Sequence, residues 1–546
     1  MWPVVDCALF PGSPLTSLTV HLNMHPALEV DDILSEIFQK LQPDQDFDEQ
    51  CIVMSDTSAS ALACTARTCR RFTEPALNTL WHTMDDLLPL LKILETSFQL
   101  VITDAPSGGA YILQPDIPTR EWQRFRSYAH RIRNLEIPLY REDIDPSVFV
   151  VLKSVLAGTA LFPNLLALYL GLELDAYGPE LLLFISPRLR IVDVETREQS
   201  DDISRHLPSV ASRSIAAQFI YGVCSEASSL EHLIFIDSSD LDIPSIECAS
   251  RLRELVITGF PITTRFLSSA ANLPSLTTLQ IEIAEQEVAA CAGFPVLETL
   301  SLDGTVTVLP DFVRNIASPR VQKFRYYSDW GVVSGLHCYI DLYKALVSKF
   351  FLSLREIIMS FSSLRKDEDS GTSPLLVDSI YPLFTLSQLE RLELKMSVSV
   401  SITNADLQTM TMAWPHLQTF VLSASPGNEV PSMYALTEFA QHCPELRTLC
   451  LPCVDPRISP PHEQGFNTIS GHSLQDLWFS HPQKWTRTPF ELEIVAVAQF
   501  LDALFPQVNL ARFSARSFPG VVEYSAGDWK RVADVQKAMQ AARQRG

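Results

Sequence analysis

The sequence predicts an α/β solenoid preceded by a small helical module, and three observations support this prediction. A unit of the form L-x-x-L-x-L recurs a dozen times from Ile132 onward. Segments with helical spacing of apolar residues, such as 342–350 and 433–442, lie between the copies. Before the first copy, the stretch 28–81 carries the signals of three short helices.

The first helix of the module is predicted from Asp31 to Leu41. Asp31 and Asp32 stand in its first turn, where carboxylates are favoured by the positive end of the helix dipole. Pro43 and the acidic residues after it end the helix. The apolar residues with helical spacing are Ile33, Leu34, Ile37, Phe38 and Leu41.

A second helix is predicted from Ala59 to about Arg71, and a third from Glu74 to Trp81. Pro75 then lies in the first turn of the third helix, where its missing N–H is not needed. Three short helices cannot bury all their large apolar side chains among themselves. Some of the following should therefore face a partner or the next domain: Leu28, Ile33, Ile37, Phe38, Leu80 and Trp81.

These residues resemble an F-box, the motif that binds the Skp adaptor of cullin–RING (SCF-type) ubiquitin ligases. The resemblance rests on Leu28, the apolar first helix, Cys69-Arg70-x-Phe72 and the ending Ala76-Leu77-x-x-Leu80-Trp81, which is typical of fungal F-box proteins. Glu29 stands where the family usually has proline. The resemblance implies a Skp adaptor, and through it a cullin, as partners. It implies adaptor binding by Leu28, Ile33, Leu34, Ile37, Phe38, Leu41, Leu80 and Trp81.

The spacing of the repeated unit has a physical reason. L-x-x-L-x-L describes a turn that enters a short strand whose alternate residues point to one side. One unit cannot bury its own apolar side, but a stack of units can. The copies are Ile132/Leu135/Ile137, Leu165/Leu168/Leu170, Leu230/Leu233/Phe235, Leu252/Leu255/Ile257, Leu276/Leu279/Ile281, Leu297/Leu300/Leu302, Val321/Phe324/Tyr326, Leu354/Ile357/Met359, Leu389/Leu392/Leu394, Leu417/Phe420/Leu422, Leu446/Leu449/Leu451 and Leu474/Leu477/Phe479, with a degenerate copy at Leu189 and Ile191.

Successive copies lie about 21 to 41 residues apart, close to the period of leucine-rich repeats. Strands that alternate with helices predict a parallel sheet curved into a horseshoe, a leucine-rich-repeat solenoid of the ribonuclease-inhibitor-like kind. The irregular spacing resembles the repeats of F-box proteins.

The predicted domain organisation has five segments. They are a flexible tail 1–24, the F-box-like module 25–81, linker helices 82–131, the solenoid 132–513 and a capping helix within 514–546. In the linker, 85–100 reads as an apolar helix that Pro89 interrupts early. The final helix is predicted to begin at Asp528, with Trp529, Val532, Val535 and Met539 along one side. Such a helix can close the exposed end of a solenoid; partner binding is the alternative.

Composition sets the outer bounds of function. The chain has 546 residues, of which 47% are hydrophobic, and a formal net charge of −22. A folded protein is therefore expected, and nucleic acid is not expected as a partner, because phosphate contacts need a basic stripe and the sequence has none. The basic run 120–133 is short and is interpreted as a solvated helix face. The eleven cysteines are irregularly spaced, which favours a reducing compartment, the cytoplasm or the nucleus. The sequence contains no apolar run of 18 residues, so no membrane span is predicted.

One cysteine motif could carry chemistry. Cys450-x-x-Cys453, with His442-Cys443 upstream, has partial zinc spacing and also suggests a redox pair. Cys450, however, lies between two leucines of a repeat strand, so the repeat explains its position without a metal. Phosphate-binding loops and the common hydrolase motifs are absent from the sequence. No catalytic residue, cofactor or metal is predicted.

Two functions remain from the sequence. In the first, the chain is the substrate-recognition subunit of an SCF-type ubiquitin ligase, whose module binds the adaptor and whose repeats hold an unknown target protein. It would perform no bond chemistry and would act by raising effective concentration and fixing geometry. In the second, the chain is a non-catalytic interaction scaffold without a ligase role. An enzyme with an unfamiliar site is the least favoured interpretation.

Overall fold

The structure is a computed structural model that describes residues 30–41, 56–102, 109–137, 144–172, 179–196, 210–236, 246–283, 292–328, 336–361, 375–457, 472–481, 491–510 and 526–545. The predicted tail 1–24 and Leu28 lie outside the described residues. The chain divides into two compact units, Met1–Phe260 and Pro261–Gly546. Within the described residues, no helix is long and apolar enough to span a membrane.

The first unit begins with the three predicted helices. They are α1 (Asp31–Gln39), α2 (Asp56–Ala66) and α3 (Arg70–Leu80). α3 begins four residues earlier than predicted, because Cys69 takes an extended conformation and accepts the N–H of Phe72. Pro75 therefore lies inside α3 rather than in its first turn. It removes only the bond to the Arg71 carbonyl, near the start of the helix.

The region predicted as linker helices also contains strands. Its elements are β1 (Thr83–Met84), α4 (Leu88–Leu91), β2 (Phe98–Val101), β3 (Ala110–Leu113) and α5 (Thr119–Ala129). The helix predicted over 85–100 is one turn long, with Pro89 at its start and the Leu94 carbonyl taken by the N–H groups of Ser97 and Phe98. β2 and β3 then form an antiparallel pair.

The rest of the first unit alternates strands with helical segments. The strands are β4 (Asn134–Ile137), β5 (Ala167–Leu172), β6 (Ile191–Thr196), β7 (His232–Ile236) and β8 (Glu254–Pro261). The helical segments are α6 (Ser147–Leu156), a 3₁₀ turn (Pro179–Phe184) and α7 (Val210–Glu226). β1 pairs with β4, and β4 to β8 pair in chain order, all in parallel.

The second unit repeats the same arrangement. Its strands are β9 (Thr278–Ile283), β10 (Thr299–Gly304), β11 (Lys323–Ser328), β12 (Glu356–Phe361), β13 (Arg391–Val400), β14 (Thr419–Pro426), β15 (Thr448–Leu451) and β16 (Asp476–Phe479). Each pairs in parallel with the next along the chain. The helices are α8 (Thr264–Ala271), α9 (Leu309–Asn315), α10 (Ile340–Phe350), α11 (Leu376–Ile380), α12 (Asn404–Ala413), α13 (Leu436–His442), α14 (Glu491–Leu504) and α15 (Ala526–Arg545), with 3₁₀ turns at Leu336–Tyr339, Tyr381–Thr385 and Met433–Ala435.

One backbone carbonyl before most strands of the parallel sheet ties a repeat to the next. The Arg133 carbonyl accepts the N–H groups of both Leu166 and Ala167. The same double acceptance recurs at His82, Leu166, Arg190, Glu231, Thr277, Glu298, Gln322, Arg355, Glu390, Gln418 and Arg447. The series thus begins at His82, directly after the helical module and well before the first predicted copy at Ile132.

The predicted repeat positions form the core. Every one of the three apolar residues in each of the twelve copies is at most 7% exposed. Trp414, after α12, packs 6.3 Å from Phe420 of β14, so the leucine side of the sheet faces helices. The α/β fold, a leucine-rich-repeat solenoid with a parallel sheet, is therefore confirmed. The copy at Leu189 is regular after all: Val192 and Val194 are its buried strand residues, and Ile191 points to the other side.

α15 packs against the last repeats. Trp529 lies 4.8 Å from the ring of Phe479 in β16, and the Gln540 side chain donates to the carbonyls of Pro506 and Val508. The buried side of α15 contains Trp529, Val532 and Gln536. Of the other predicted side-chain positions, Val535 and Met539 are half-buried.

Candidate functional site

Helix α1 has a wide apolar face, and the rest of the chain buries only part of it. Leu34 and Phe38 are buried, and the Phe38 ring lies 6.0 Å from that of Phe72 in α3 at an angle of 64°. Beside this pair runs a row of large apolar side chains that are between 39% and 50% exposed. We call this row the α1 stripe: Val30, Ile33, Ile37 and Leu41.

The geometry of an α-helix explains why both sets lie together. With 3.6 residues per turn, Ile33 and Ile37 of α1 fall directly beside Leu34 and Phe38, while Val30 immediately precedes the helix and Leu41 follows it. The buried pair holds α1 against α3, and the stripe is left facing outward. The free side of α1 is therefore ordered before any partner arrives.

The structure places the eight predicted adaptor-binding residues in three groups. Ile33, Ile37 and Leu41 belong to the exposed stripe. Buried within the chain are Leu34, Phe38, Leu80 and Trp81. Leu28 lies outside the described residues. Val30 was not predicted, although its position three residues before Ile33 and four before Leu34 is the signal that could have identified it.

Trp81 and Leu80 stabilise the junction between the module and the first strand. The Trp81 ring lies 4.8 Å from that of Tyr128 in α5. Directly after it, the His82 carbonyl starts the series of repeat hydrogen bonds. Burial, together with the nearby charge of Arg133, lowers the pKa of His82. The side chains at the end of the predicted motif therefore pack inside the first unit.

The sheet has a second surface, opposite the buried leucines, which we call the outward face. In the first unit the middle outward residues of β4 to β8 are Glu136, Tyr169, Asp193, Ile234 and Val256, all half-buried. Burial raises the pKa of Asp193 to about 6, and the carboxylates of Glu195 and Glu254 add to this. Burial, Asp193 and Glu136 in turn raise the pKa of Tyr169. This face is acidic, with aromatic and aliphatic side chains between the carboxylates.

The outward face of the second unit has a different composition. From β9 to β16 its middle residues are Gln280, Ser301, Arg325, Ile358, Glu393, Val421, Cys450 and Trp478. Glu393 is only 6% exposed, and its carboxylate accepts the Arg391 Nε at 2.8 Å and lies 3.2 Å from the Lys395 Nζ. Lys323 pairs with Glu356 at 3.2 Å. Basic side chains thus lie on this face although the chain as a whole is acidic.

The cysteine motif lies in the repeat and not in an open site. Cys450 is a residue of β15, is fully buried, and its Sγ lies 3.8 Å from the Leu422 carbonyl oxygen. Burial raises the pKa of Cys443 and Cys453 to about 12 and that of Cys450 still further. Thiols held protonated are poor nucleophiles and poor metal ligands. In the part of the chain that the structure describes, no three His, Cys, Asp or Glu side chains are grouped to hold a metal ion.

Comparisons with known proteins give similarity of fold and nothing closer. No family model matches the chain, and no curated protein matches it. Among solved structures, an internalin (InlF) of Listeria monocytogenes shares 12% identity over 67% of this chain and 87% of its own, with a TM-score of 0.30. Rad7 in its yeast complex with Elc1 shares 13% over 77% of this chain and 93% of its own, with a TM-score of 0.35. The leucine-rich repeat domain of APL1 shares 14% over 72% and 76%, with a TM-score of 0.25.

At these identities and TM-scores the comparisons carry no argument about function. The fold stands on the strand pairing and the buried repeat positions of this chain. The outward residues Arg325 and Glu393 were missed by sequence reasoning. Their signal is a charged side chain at the position between the last two apolar residues of a repeat, where the strand's alternation turns it away from the core.

Proposed function

We propose that the chain is the substrate-recognition subunit of a cullin–RING ubiquitin ligase, whose module binds a Skp adaptor while the repeats bind a target protein. The observation that carries the proposal is the α1 stripe. Four large apolar side chains lie exposed on, or directly beside the ends of, a helix that resembles the first helix of an F-box. Contiguous exposed apolar surface of this kind marks protein interfaces.

The stripe fits the binding of a helix in an apolar groove. Such recognition uses side chains three and four residues apart on one face of a helix, and the stripe supplies Ile33 and Ile37, with Val30 three residues before Ile33 and Leu41 four residues after Ile37. Because Leu34 and Phe38 already hold α1 in place, binding would not need to order the helix first. The adaptor would therefore meet a preformed surface.

The repeats would contribute target binding without catalysis. A solenoid presents an extended row of outward side chains, and these rows are rich in charged and aromatic residues in both units. Holding a target beside the ligase raises the effective concentration of its lysines for a ubiquitin-charged enzyme that docks elsewhere. The chain itself then needs no catalytic residue.

The test is co-purification of the full chain with a Skp adaptor and a cullin. The wild-type chain is expected to co-purify with both, and Ile37→Asp is expected to lose the adaptor while melting at the same temperature. Gln39→Asp is the matched control, because Gln39 is exposed on α1 away from the stripe. A wild-type chain that does not bind the adaptor would contradict the proposal, and an Ile37→Asp chain that binds normally would exclude the stripe as the interface.

The junction of module and sheet favours a second candidate function. β1 pairs with β4 directly after α3, so the module also closes the first repeat. In this case the chain is a non-catalytic interaction scaffold, and the module serves as its N-terminal cap. The two functions differ in adaptor binding, which the same co-purification measures.

A further inference from the structure

Arg325 is a cation without an anion on the outward face of the second unit. It is the middle outward residue of β11, and Ser301 of β10 and Ile358 of β12 flank it in register. Its Nε is buried and has no hydrogen-bond acceptor. No hydrogen bond or ion pair joins Arg325 to any other described residue. Arginine carries five N–H donors and cannot give up its charge, so such a site calls for an acceptor.

The neighbouring cations of the same face are satisfied. Lys323, two residues earlier in β11, lies 3.2 Å from the Glu356 carboxylate. Arg391 and Lys395 of β13 share the carboxylate of Glu393. Among the described outward residues of β10 to β13, Arg325 is thus the cation left for an external anion. An arginine without an acidic partner is unexpected in a chain whose net charge is −22.

The surroundings of Arg325 favour a side chain on a protein segment as the anion. Tyr327, two residues later on the same face, is 36% exposed and offers an aromatic surface. On the flanking strands, Ser301 and Ile358 are buried beside Arg325, so one of its two neighbours in register is polar and the other is apolar. A planar guanidinium matches a carboxylate or phosphate group with two parallel hydrogen bonds.

We propose that Arg325 binds an anionic side chain, a carboxylate or a phosphate, of a protein segment that lies across β10 to β13. Lys323 on the same strand is already paired with Glu356, and Tyr327 adds contact surface beside Arg325. This inference deepens the proposed function, because it assigns a chemistry to the target-binding face on which that function depends. It does not depend on the adaptor.

The test uses the full chain and three degenerate dodecapeptide pools that differ only in their central residue: aspartate, phosphoserine or asparagine. The wild-type chain is expected to retain the aspartate or phosphoserine pool in preference to the asparagine pool. Arg325→Gln is expected to lose this preference, with binding about tenfold weaker, since one charge-assisted pair is removed. Arg265→Gln is the matched control, because Arg265 is an exposed arginine on α8 of the same unit.

Each outcome decides the proposal. Preference for the aspartate pool alone identifies the bound group as a carboxylate, and preference for the phosphoserine pool alone identifies it as a phosphate. Retention of both pools shows that Arg325 recognises negative charge and not one particular group. Equal retention of all three pools by the wild type, or an unchanged preference in Arg325→Gln, overturns it. Arg325→Lys keeps the charge without the planar fork, so it separates geometry from charge if Arg325→Gln fails to fold. No adaptor is present, so the result is independent of whether the chain joins a ligase.

Discussion

Ile37 and Phe38 are consecutive residues of α1 whose side chains face different surroundings. Ile37 is 46% exposed, whereas Phe38 is 6% exposed and lies against Phe72 of α3. The sequence pattern treats the two alike, as apolar residues of one amphipathic helix. The structure separates them into a residue available to a partner and a residue that holds the helix in place.

Substitution at these two positions should therefore have different effects. Phe38→Ala is expected to lower the free energy of unfolding by about 3–5 kcal/mol, because it removes a buried ring and leaves a cavity. Ile37→Asp is expected to change it by less than about 0.5 kcal/mol, since the side chain is exposed. Urea unfolding measures both. If Ile37→Asp destabilised the chain as much as Phe38→Ala, Ile37 would belong to the core.

The buried carboxylate of Glu393 should stabilise the second unit. Glu393→Gln keeps the volume but leaves Arg391 and Lys395 without their shared anion, and we expect a loss of about 1–3 kcal/mol in the free energy of unfolding. The control is Glu390→Gln, whose exposed carboxylate lies 3.8 Å from Arg355 and should contribute less than about 1 kcal/mol. Urea unfolding at pH 7 compares them. Equal losses would show that burial of Glu393 adds nothing.

Asp193 should make the stability of the first unit depend on pH. Its pKa is raised from 3.8 to about 6 in the folded chain, so the folded state binds the proton more tightly than the unfolded state. Its contribution to stability is therefore fully present below pH 4 and is lost as the pH rises through 6. Asp193→Asn should be more stable than the wild type at pH 7.5, by up to about 2 kcal/mol, and this difference should shrink toward pH 4.5.

Urea unfolding at a series of pH values measures this difference. Glu226→Gln is the control, because it removes a carboxylate that is exposed at the end of α7. A difference for Asp193→Asn that stays constant between pH 4.5 and 7.5 would show that the carboxyl is not held protonated by its surroundings.

Thiol reactivity should follow burial and not the C-x-x-C spacing. Cys64 and Cys248 are exposed, whereas Cys443, Cys450 and Cys453 are buried with raised pKa values. Because the thiolate is the reactive form, a maleimide should label the first two in the native protein and the other three only after unfolding. Mass spectrometry of the digested protein locates the label. Rapid native labelling of Cys450 would exclude its place inside β15.

The repeats could be predicted because their signal is periodic and their cause is local. An inward residue such as Leu300 must be apolar in every copy, and this requirement repeats along the chain. The sequence predicts a degenerate copy at Leu189 because the apolar Ile191 lies on the outward side and hides Val192 and Val194, which are the buried strand positions. Apolar residues on both sides of a strand remove the alternation on which the prediction depends.

The first strand and the orphaned arginine could not be predicted for a different reason. Thr83 and Met84 form a strand of two residues, which is too short for any pattern, and it exists because the His82 carbonyl meets the N–H groups of Arg133 and Asn134. Arg325 has no acceptor because the register of β11, β12 and β13 places the carboxylates of Glu356 and Glu393 beside other cations. Both features are long-range consequences of stacking.

The immediate passage from α3 through His82 into β1 has a mechanical consequence. Domains joined by a flexible tether sample many orientations, and the length of the tether then sets how often two bound partners meet. Here α1 is packed on α3, and α3 continues into the first strand of the sheet without a spacer. A protein bound to the stripe and a protein bound to the repeats of the first unit would therefore be held at a fixed distance from each other, because packing and not a tether sets their separation. Lengthening the chain between Trp81 and Thr83 would turn that fixed separation into a variable one.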